Sequence, residues 1–446
     1  MANVTQALGD GLASLRSLRG HHLARRTAGA GGLRIARTGL TFAAAFLAAR
    51  WLGPAEYGRY AVALSVLSLL AMFGALGLPQ LLTRSVAVYE QRDAWGLRTG
   101  LARRTLQYVA LLAIVLVPVA AIATLGGFLP WPPPRDSWLF FATACLVVPV
   151  VALRLMGAWL IGREQAMAGE LADGVLRYLG VLLLIAGAIV LGIPADGFVA
   201  LLLHGVALCT AAVLVALYLF RQERTLPHPV PRFETPRWLL AALPMMWTAG
   251  LTVVLRNTDI VMLGAMADTS AAGIYHVATR MAELMALPLG AAEAVLAPIV
   301  ARLWVSRDRS RLQALVVRAA RLLMVPAGLG FLVFAFAGDA LLGIVGAGFA
   351  AGWLALTILV GANLARVACG STALLLNMSG FERDTMWAVF FGTVANVALN
   401  FVLIPLYGLE GAAIATGGTM VMWNLLLARA VIRRLTINPT IFANPA

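Results

Sequence analysis

Apolar runs of about 20 residues recur along the whole chain, each long enough to cross about 30 Å of hydrocarbon as a helix. Hydropathy predicts spans near 39–53, 60–82, 105–129, 138–162, 171–191, 198–220, 238–263, 272–300, 319–344, 353–378, 385–406 and 411–432. The breaks between them fall at clusters of glycine, proline and charge. The runs are continuous rather than alternating, which argues against a transmembrane barrel and predicts an all-α integral membrane protein of about twelve transmembrane helices. A polar stretch with prolines at Pro227, Pro229, Pro231 and Pro236 separates the sixth span from the seventh. The expected organisation is a basic tail over 1–38, a six-helix bundle over 39–220, a linker over 221–237, a second six-helix bundle over 238–434 and a C-terminal tail over 435–446.

A short repeat supports the division. Gly58-Arg59-Tyr60-Ala61-Val62-Ala63 reappears as Gly273-Ile274-Tyr275-His276-Val277-Ala278, each copy reading GxYxxA. Leu52-Gly53 precedes the first copy and Leu263-Gly264 the second. Both copies join an outgoing span to an incoming one. Two pseudo-symmetric halves around a central cavity are the arrangement by which membrane transporters build alternating access.

Composition agrees with a membrane location. With 61% hydrophobic and 12% charged residues and a mean hydropathy of +0.87, the chain has too little polar surface to cover a soluble globule. The 34 basic residues are all arginine. On one set of alternate loops and tails there are 26 of them; the other set has only Arg50, Arg59 and Arg135. That asymmetry predicts both termini in the cytoplasm and requires an even number of spans. The net charge of +14 is then a collar facing anionic lipid headgroups, with no need for a nucleic-acid partner. Cys145, Cys209 and Cys369 fall inside predicted spans at no metal-like spacing and are expected to be packing residues; no metal site is expected. The N-terminal segment lacks the apolar core of a cleavable signal peptide; Leu12, Leu15, Leu18 and Leu23 are spaced for one face of a surface helix, the alternative being a frayed tail.

Five arginines remain inside the spans: Arg154, Arg177, Arg256, Arg280 and Arg366. Asp173, Asp259, Glu283 and Glu293 lie at similar depth. A charge inside the bilayer costs roughly 2.5–3.5 kcal/mol on insertion scales unless it meets a partner or water, so such residues mark transport pathways or interhelical locks. Asp173 and Arg177, Arg256 and Asp259, and Arg280 and Glu283 are spaced to pair along one helix face. His276 joins the last pair on one stripe. Arg154 and Arg366 have no carboxylate three or four residues away. A lumen with surplus guanidinium suits an anionic substrate, because arginine grips phosphate and carboxylate through two parallel hydrogen bonds. The candidate substrate-binding residues are Arg256, Arg280, Arg366, Arg154, Arg177, Asn257 and Asn363. Those for coupling to H+ or Na+ are Asp259, Glu283, Glu293, His276 and Asp173, with no cofactor. Asn396 and Asn400 are candidates for the same cavity or for interhelical hydrogen bonds.

The run Leu52-Gly-Pro-Ala-Glu-Tyr-Gly-Arg-Tyr60, followed by Gly74, Gly77 and Arg84, resembles the start of the polysaccharide-biosynthesis, Wzx-type oligosaccharide flippases of the multidrug/oligosaccharidyl-lipid/polysaccharide exporter superfamily. Asn257-Thr-Asp259, Leu263-Gly264 and Ala272-Gly-Ile-Tyr275 resemble the family's seventh-span region. Ala395-Asn-Val-Ala-Leu-Asn-Phe401, Ile404-Pro-Leu-Tyr-Gly408 and Gly411-Ala-Ala-Ile-Ala415 are similar to its last two spans. The resemblance implies a flippase carrying a polyprenyl-pyrophosphate-linked oligosaccharide to the periplasmic leaflet of a bacterial inner membrane for O-antigen, capsule or exopolysaccharide synthesis. The implied partners are the lipid-linked substrate, membrane lipids, and the polysaccharide polymerase and export machinery.

Two other classes compete with it. A proton- or sodium-coupled drug/cation antiporter shares the superfamily fold, but surplus in-span arginine is unsuited to cationic drugs. An integral-membrane polysaccharide polymerase would need large loops or clustered acids, and the chain has neither these nor a catalytic motif, so it is not expected to be an enzyme.

Overall fold

A computed structural model of the chain describes residues 21–125, 136–226 and 229–444, and these are helical with no strand. The helices are α1 (His21–Ala75), α2 (Leu78–Gln91), α3 (Trp95–Leu125), α4 (Ser137–Gly162), α5 (Ala166–Glu170), α6 (Leu176–Val190), α7 (Gly197–Glu223) and α8 (Thr235–Met266). They continue as α9 (Thr269–Leu284), α10 (Leu287–Val305), α11 (Arg309–Val345), α12 (Trp353–Cys369), α13 (Thr372–Met378) and α14 (Glu382–Leu435). Among the described residues nine helices are long and apolar enough to cross a membrane, and the chain is a multi-pass membrane protein. Much apolar surface points outward, as lipid contact requires: on α3, Leu106 and Ile114 are exposed.

The predicted spans are joined differently from the expectation at several points. α1 runs through the first two and bends at Gly53 (φ 71°), followed by Pro54; α14 runs through the last two and bends at Gly408 (φ 55°). Positive φ at these two glycines turns the chain without a loop. α1 also begins well before residue 39, because the Gly/Ala-rich segment ahead of the apolar run contains no proline to stop it. Leu12, Leu15 and Leu18 lie outside the described residues. The C-terminal segment is a docked strap rather than a free tail. Gln313 Nε2 donates to Asn438 O (2.8 Å), Arg321 donates to Ile441 O (3.0 Å) and Ala443 O (2.8 Å), and Ile437 is buried.

The two GxYxxA copies pack against each other. An added Cβ on Gly58 would lie 1.6 Å from Thr269 O, and one on Gly273 would lie 2.3 Å from Pro54 O and 2.8 Å from Gly58 N. The α1 and α9 backbones therefore touch, and this crossing is the most extensive interhelical contact in the chain. Around it Ala61, Ala63, Ala272 and Ala278 are fully buried with Tyr57 and Tyr275. Lipid tails solvate leucine as well as a neighbouring helix does, so membrane helices associate through such small-residue surfaces.

Buried ion clusters tie the remaining helices. Arg59, one of the few arginines on the arginine-poor side, donates to Asp136 Oδ1 (2.8 Å) and Glu56 Oε2 (2.7 Å), and Glu56 Oε2 also accepts from Gly197 N (3.0 Å) at the start of α7. Arg50 donates to Ile344 O (2.9 Å). Near the opposite helix ends the buried Arg98 donates to Glu90 (2.8 Å) and through both terminal nitrogens to Glu223 (2.7 and 2.6 Å), and it lies over the Trp159 ring. The cysteines are free; Cys369 is buried, whereas Cys209 is exposed on the outward face of α7, so packing does not account for it.

Gly58→Ala is expected to push α1 off α9 and cost about 1–3 kcal/mol, the usual range for overpacking. Gly187→Ala meets nothing within 4 Å and should be neutral. Thermal unfolding of the two variants in detergent checks the contrast.

Candidate functional site

Four of the predicted in-span arginines converge. Arg154 of α4, Arg177 of α6, Arg256 of α8 and Arg280 of α9 line one cavity of about 280 Å³, together with Arg37, Thr38, Thr41 and Phe42 of α1, Tyr178, Glu283 and Leu284. Among the described residues, five arginines and one carboxylate, Glu283, line this cavity, drawn from helices of both predicted bundles. A second cavity of about 310 Å³ shares Arg37 and Arg154 with the first and runs between α2, α4 and α8 past Gln80, Thr83, Glu170 and Met246.

Local structure explains how these groups are held. Between α5 and α6 the chain makes one π-turn (Leu171–Val175), and an added Cβ on Gly174 would lie 1.9 Å from Arg37 Cδ. The widened turn leaves a slot for the Arg37 side chain, whose guanidinium reaches Glu170 (3.4 Å). Arg280 donates to Glu283 Oε2 (2.9 Å), the predicted intrahelical pair. Arg256 donates to Glu283 Oε1 (3.2 Å) across from α8, so one carboxylate serves two arginines. Arg177 donates from Nε (2.9 Å) and a terminal nitrogen (2.7 Å) to His204 Nε2 of α7. The side chain of Asp173, its predicted partner, lies outside the described set.

Of the two alternatives for Asp259, Arg256 on its own helix or a residue on another, the structure shows the second. Asp259 is buried and accepts at Oδ2 from Tyr275 (2.7 Å) and from Thr416 of α14 (2.7 Å). Asn396 donates to Thr416 Oγ1 (3.1 Å), and Asn400 donates to Asn396 Oδ1 (3.1 Å). Asp259 Oδ1 and Asn400 Oδ1 have no hydrogen-bond partner among the described residues. An orphaned buried carboxylate oxygen is costly, and it suits a proton or a small monovalent cation.

The other candidates lie apart from the arginine cavity. Asn257 Nδ2 and Asn363 Nδ2 donate to the carbonyls of Val253 (2.8 Å) and Leu359 (3.0 Å), one turn back on their own helices. Neither residue lines the cavity. Arg366 sits in the last turn of α12, forms no ion pair or hydrogen bond with a described residue, and lies in the field of Glu293 and Arg256. His276 accepts from Arg280 Nε (3.3 Å) and contacts Tyr57 Oη through Nδ1 (2.9 Å), a hydrogen bond between α1 and α9. Arg37, Tyr178 and His204 escaped the sequence reading. Arg37 lies just outside the first apolar run and counts there as a tail residue, whereas His204 is a lone polar residue with no charge partner nearby in sequence.

Comparison with known proteins gives this arrangement a family. The chain is 28% identical over 189 residues to the probable flippase AglR of Haloferax volcanii, covering 42% of this chain and 40% of that protein. It is 26% identical over 328 residues to the succinoglycan biosynthesis transport protein ExoT of Rhizobium meliloti, covering 72% and 62%. The chain thus spans less than two thirds of the length of these curated relatives. Among solved structures, the fold is similar to an inward-facing multidrug resistance MATE family transporter of the MOP superfamily (TM-score 0.73, 14% identity, 90% of this chain and 94% of that one). The lipid II flippase MurJ in an inward closed conformation shares the fold as well (TM-score 0.70, 12% identity, 90% and 87%). Residues 31–304, more than half of the sequence, match the family described as polysaccharide biosynthesis protein, and the chain belongs to that family.

Proposed function

We propose that the protein is a flippase that moves a polyprenyl-pyrophosphate-linked oligosaccharide from the cytoplasmic to the periplasmic leaflet of a bacterial inner membrane. The glycan would feed synthesis of a surface polysaccharide such as O-antigen, capsule or exopolysaccharide. The observation that carries this reading is the cavity lined by Arg37, Arg154, Arg177, Arg256 and Arg280, in which Arg256 and Arg280 share the one carboxylate of Glu283 and Arg177 is held by His204. Guanidiniums that line one cavity within an apolar helical chain can grip an anion through paired hydrogen bonds, and a pyrophosphate offers the charge and acceptor oxygens for that. The names of AglR and ExoT, a probable flippase and a succinoglycan biosynthesis transport protein, support flippase-type transport for polysaccharide biosynthesis.

The proposed architecture is twelve spans in two bundles, residues 39–220 and 238–434, with both termini cytoplasmic. The arginines capture the headgroup, the lipid tail stays in the bilayer, and one bundle rocks against the other about the α1–α9 crossing. Arg366 is a further guanidinium available to the pyrophosphate or to acidic sugars. Coupling to H+ or Na+ is assigned to Asp259, the carboxylate with an unpartnered oxygen. Glu283 lines the arginine cavity and tunes its charge, and Glu293 acts on Arg366. Polymerase and export machinery would receive the product.

Leaflet exchange of a fluorescent polyprenyl-pyrophosphate oligosaccharide in proteoliposomes tests the proposal. The double variant Arg177→Ala/Arg280→Ala is expected to lower the exchange rate by about tenfold or more, the loss of roughly 1.4 kcal/mol of anion contact. Wild-type exchange by a properly inserted double variant would remove the anion role. No exchange by the intact protein, together with uptake of a cationic dye, would favour the antiporter. In the same vesicles Asp259→Asn should abolish any response of exchange to an imposed proton or sodium gradient while leaving gradient-free exchange measurable.

A further inference from the structure

Two hydrogen-bonded chains of the same composition end in the arginine cavity. In one, Tyr60 Oη contacts His204 Nδ1 (2.7 Å), and His204 Nε2 accepts from Arg177 (2.9 and 2.7 Å). In the other, Tyr57 Oη contacts His276 Nδ1 (2.9 Å), and His276 Nε2 accepts from Arg280 (3.3 Å). The histidines come from α7 and α9, but both tyrosines stand three residues apart on α1 with ring centroids 6.1 Å apart. Both imidazoles are buried, and both arginines line the cavity.

The donor pattern determines the state of each ring. Arginine only donates, so Nε2 is a lone-pair acceptor, the single ring proton is on Nδ1, and the tyrosine oxygen accepts it. A carboxylate at the same place would also orient the guanidinium, but it would cancel the charge that an anionic ligand has to meet. A neutral imidazole orients the arginine without neutralising it. Glu283 already compensates Arg280 in part, whereas among the described residues Arg177 hydrogen-bonds to His204 alone. An arginine held in place before the ligand arrives loses less side-chain freedom on binding.

We propose that His204 and His276 are positioning residues that aim Arg177 and Arg280 at the phosphate groups of the substrate, with Tyr60 and Tyr57 of α1 setting the tautomer of both. The proposal rests on the reading of this cavity as an anion site. It adds a polar device that needs no contact between histidine and substrate.

The test is titration calorimetry of the full-length purified protein in nanodiscs with inorganic pyrophosphate as the probe. His204→Leu and His276→Leu, which remove the acceptor, are each expected to weaken binding by about tenfold. His204→Gln and His276→Gln, whose amide oxygen restores an acceptor, should return affinity to within about threefold of wild type. A merely structural histidine would not be rescued in this way, so equal losses in the Leu and Gln variants overturn the proposal. Arg177→Gln and Arg280→Gln separate the two levels. Weak binding by these variants alongside wild-type binding by the His→Leu variants sinks the positioning role and leaves the anion cavity standing. Wild-type binding by the arginine variants removes the cavity reading itself. Should the His→Leu variants not fold, Tyr60→Phe and Tyr57→Phe delete only the hydroxyl that receives the Nδ1 proton, and unchanged affinity in both counts against the proposal.

Discussion

α1 and α9 meet where neither has a side chain. Gly58 and Gly273 bring the two backbones into contact, and a single methyl group on either would overlap the carbonyl of the other helix or its cap. In water such a contact would be reinforced by expulsion of solvent from apolar flanks. In lipid it rests on close packing alone, since a hydrocarbon tail covers leucine as well as a helix does. The polar interior depends on that contact for its register. Tyr57 reaches His276 because its neighbour Gly58 lies against Gly273, and Tyr275 turns the other way to Asp259 and Thr416. Moving α9 along α1 by one turn would separate all of these partners.

A membrane interior also restricts where charge can lie, and the described charges follow three solutions. Arg59 is compensated by surrounding carboxylates at helix ends. Asp259 is buried among hydroxyl and amide groups, with one oxygen satisfied and the other not. Of the cavity arginines, Arg256 and Arg280 share Glu283, and Arg177 is held by an uncharged imidazole. The first solution gives stability and the third leaves charge for something else. That difference separates a structural ion cluster from a binding site more sharply than burial does, because Arg59 and Arg280 are both at least partly enclosed.

The α1 helix has a part in nearly every feature. It lines both large cavities, carries one copy of the repeat, supplies both tyrosines that contact the buried histidines and anchors Arg59. Its bend at Gly53 allows one continuous helix to serve the arginine cavity before the bend and the α9 crossing after it.

Hydropathy alone determined that the chain is helical and crosses a membrane, because a hydrogen-bonded helix of apolar residues is a local solution that each segment reaches by itself. The GxYxxA repeat and the isolated in-span arginines were likewise legible, since few residue types stand out against so apolar a background. Sequence spacing correctly paired Arg280 with Glu283, which share one helix face. The same rule allowed Arg256 to pair with Asp259 or each to find a partner on another helix, and only packing decided it: Arg256 meets Glu283 of α9, and Asp259 meets Thr416 of α14. Arg37 and His204 were invisible for the corresponding reason: their roles come from partners 133 residues away (Glu170) and 144 residues away (Tyr60). Composition and periodicity record what each helix is. Which faces meet, and therefore which charges are cancelled and which are left exposed in a cavity, was decided only when the helices packed.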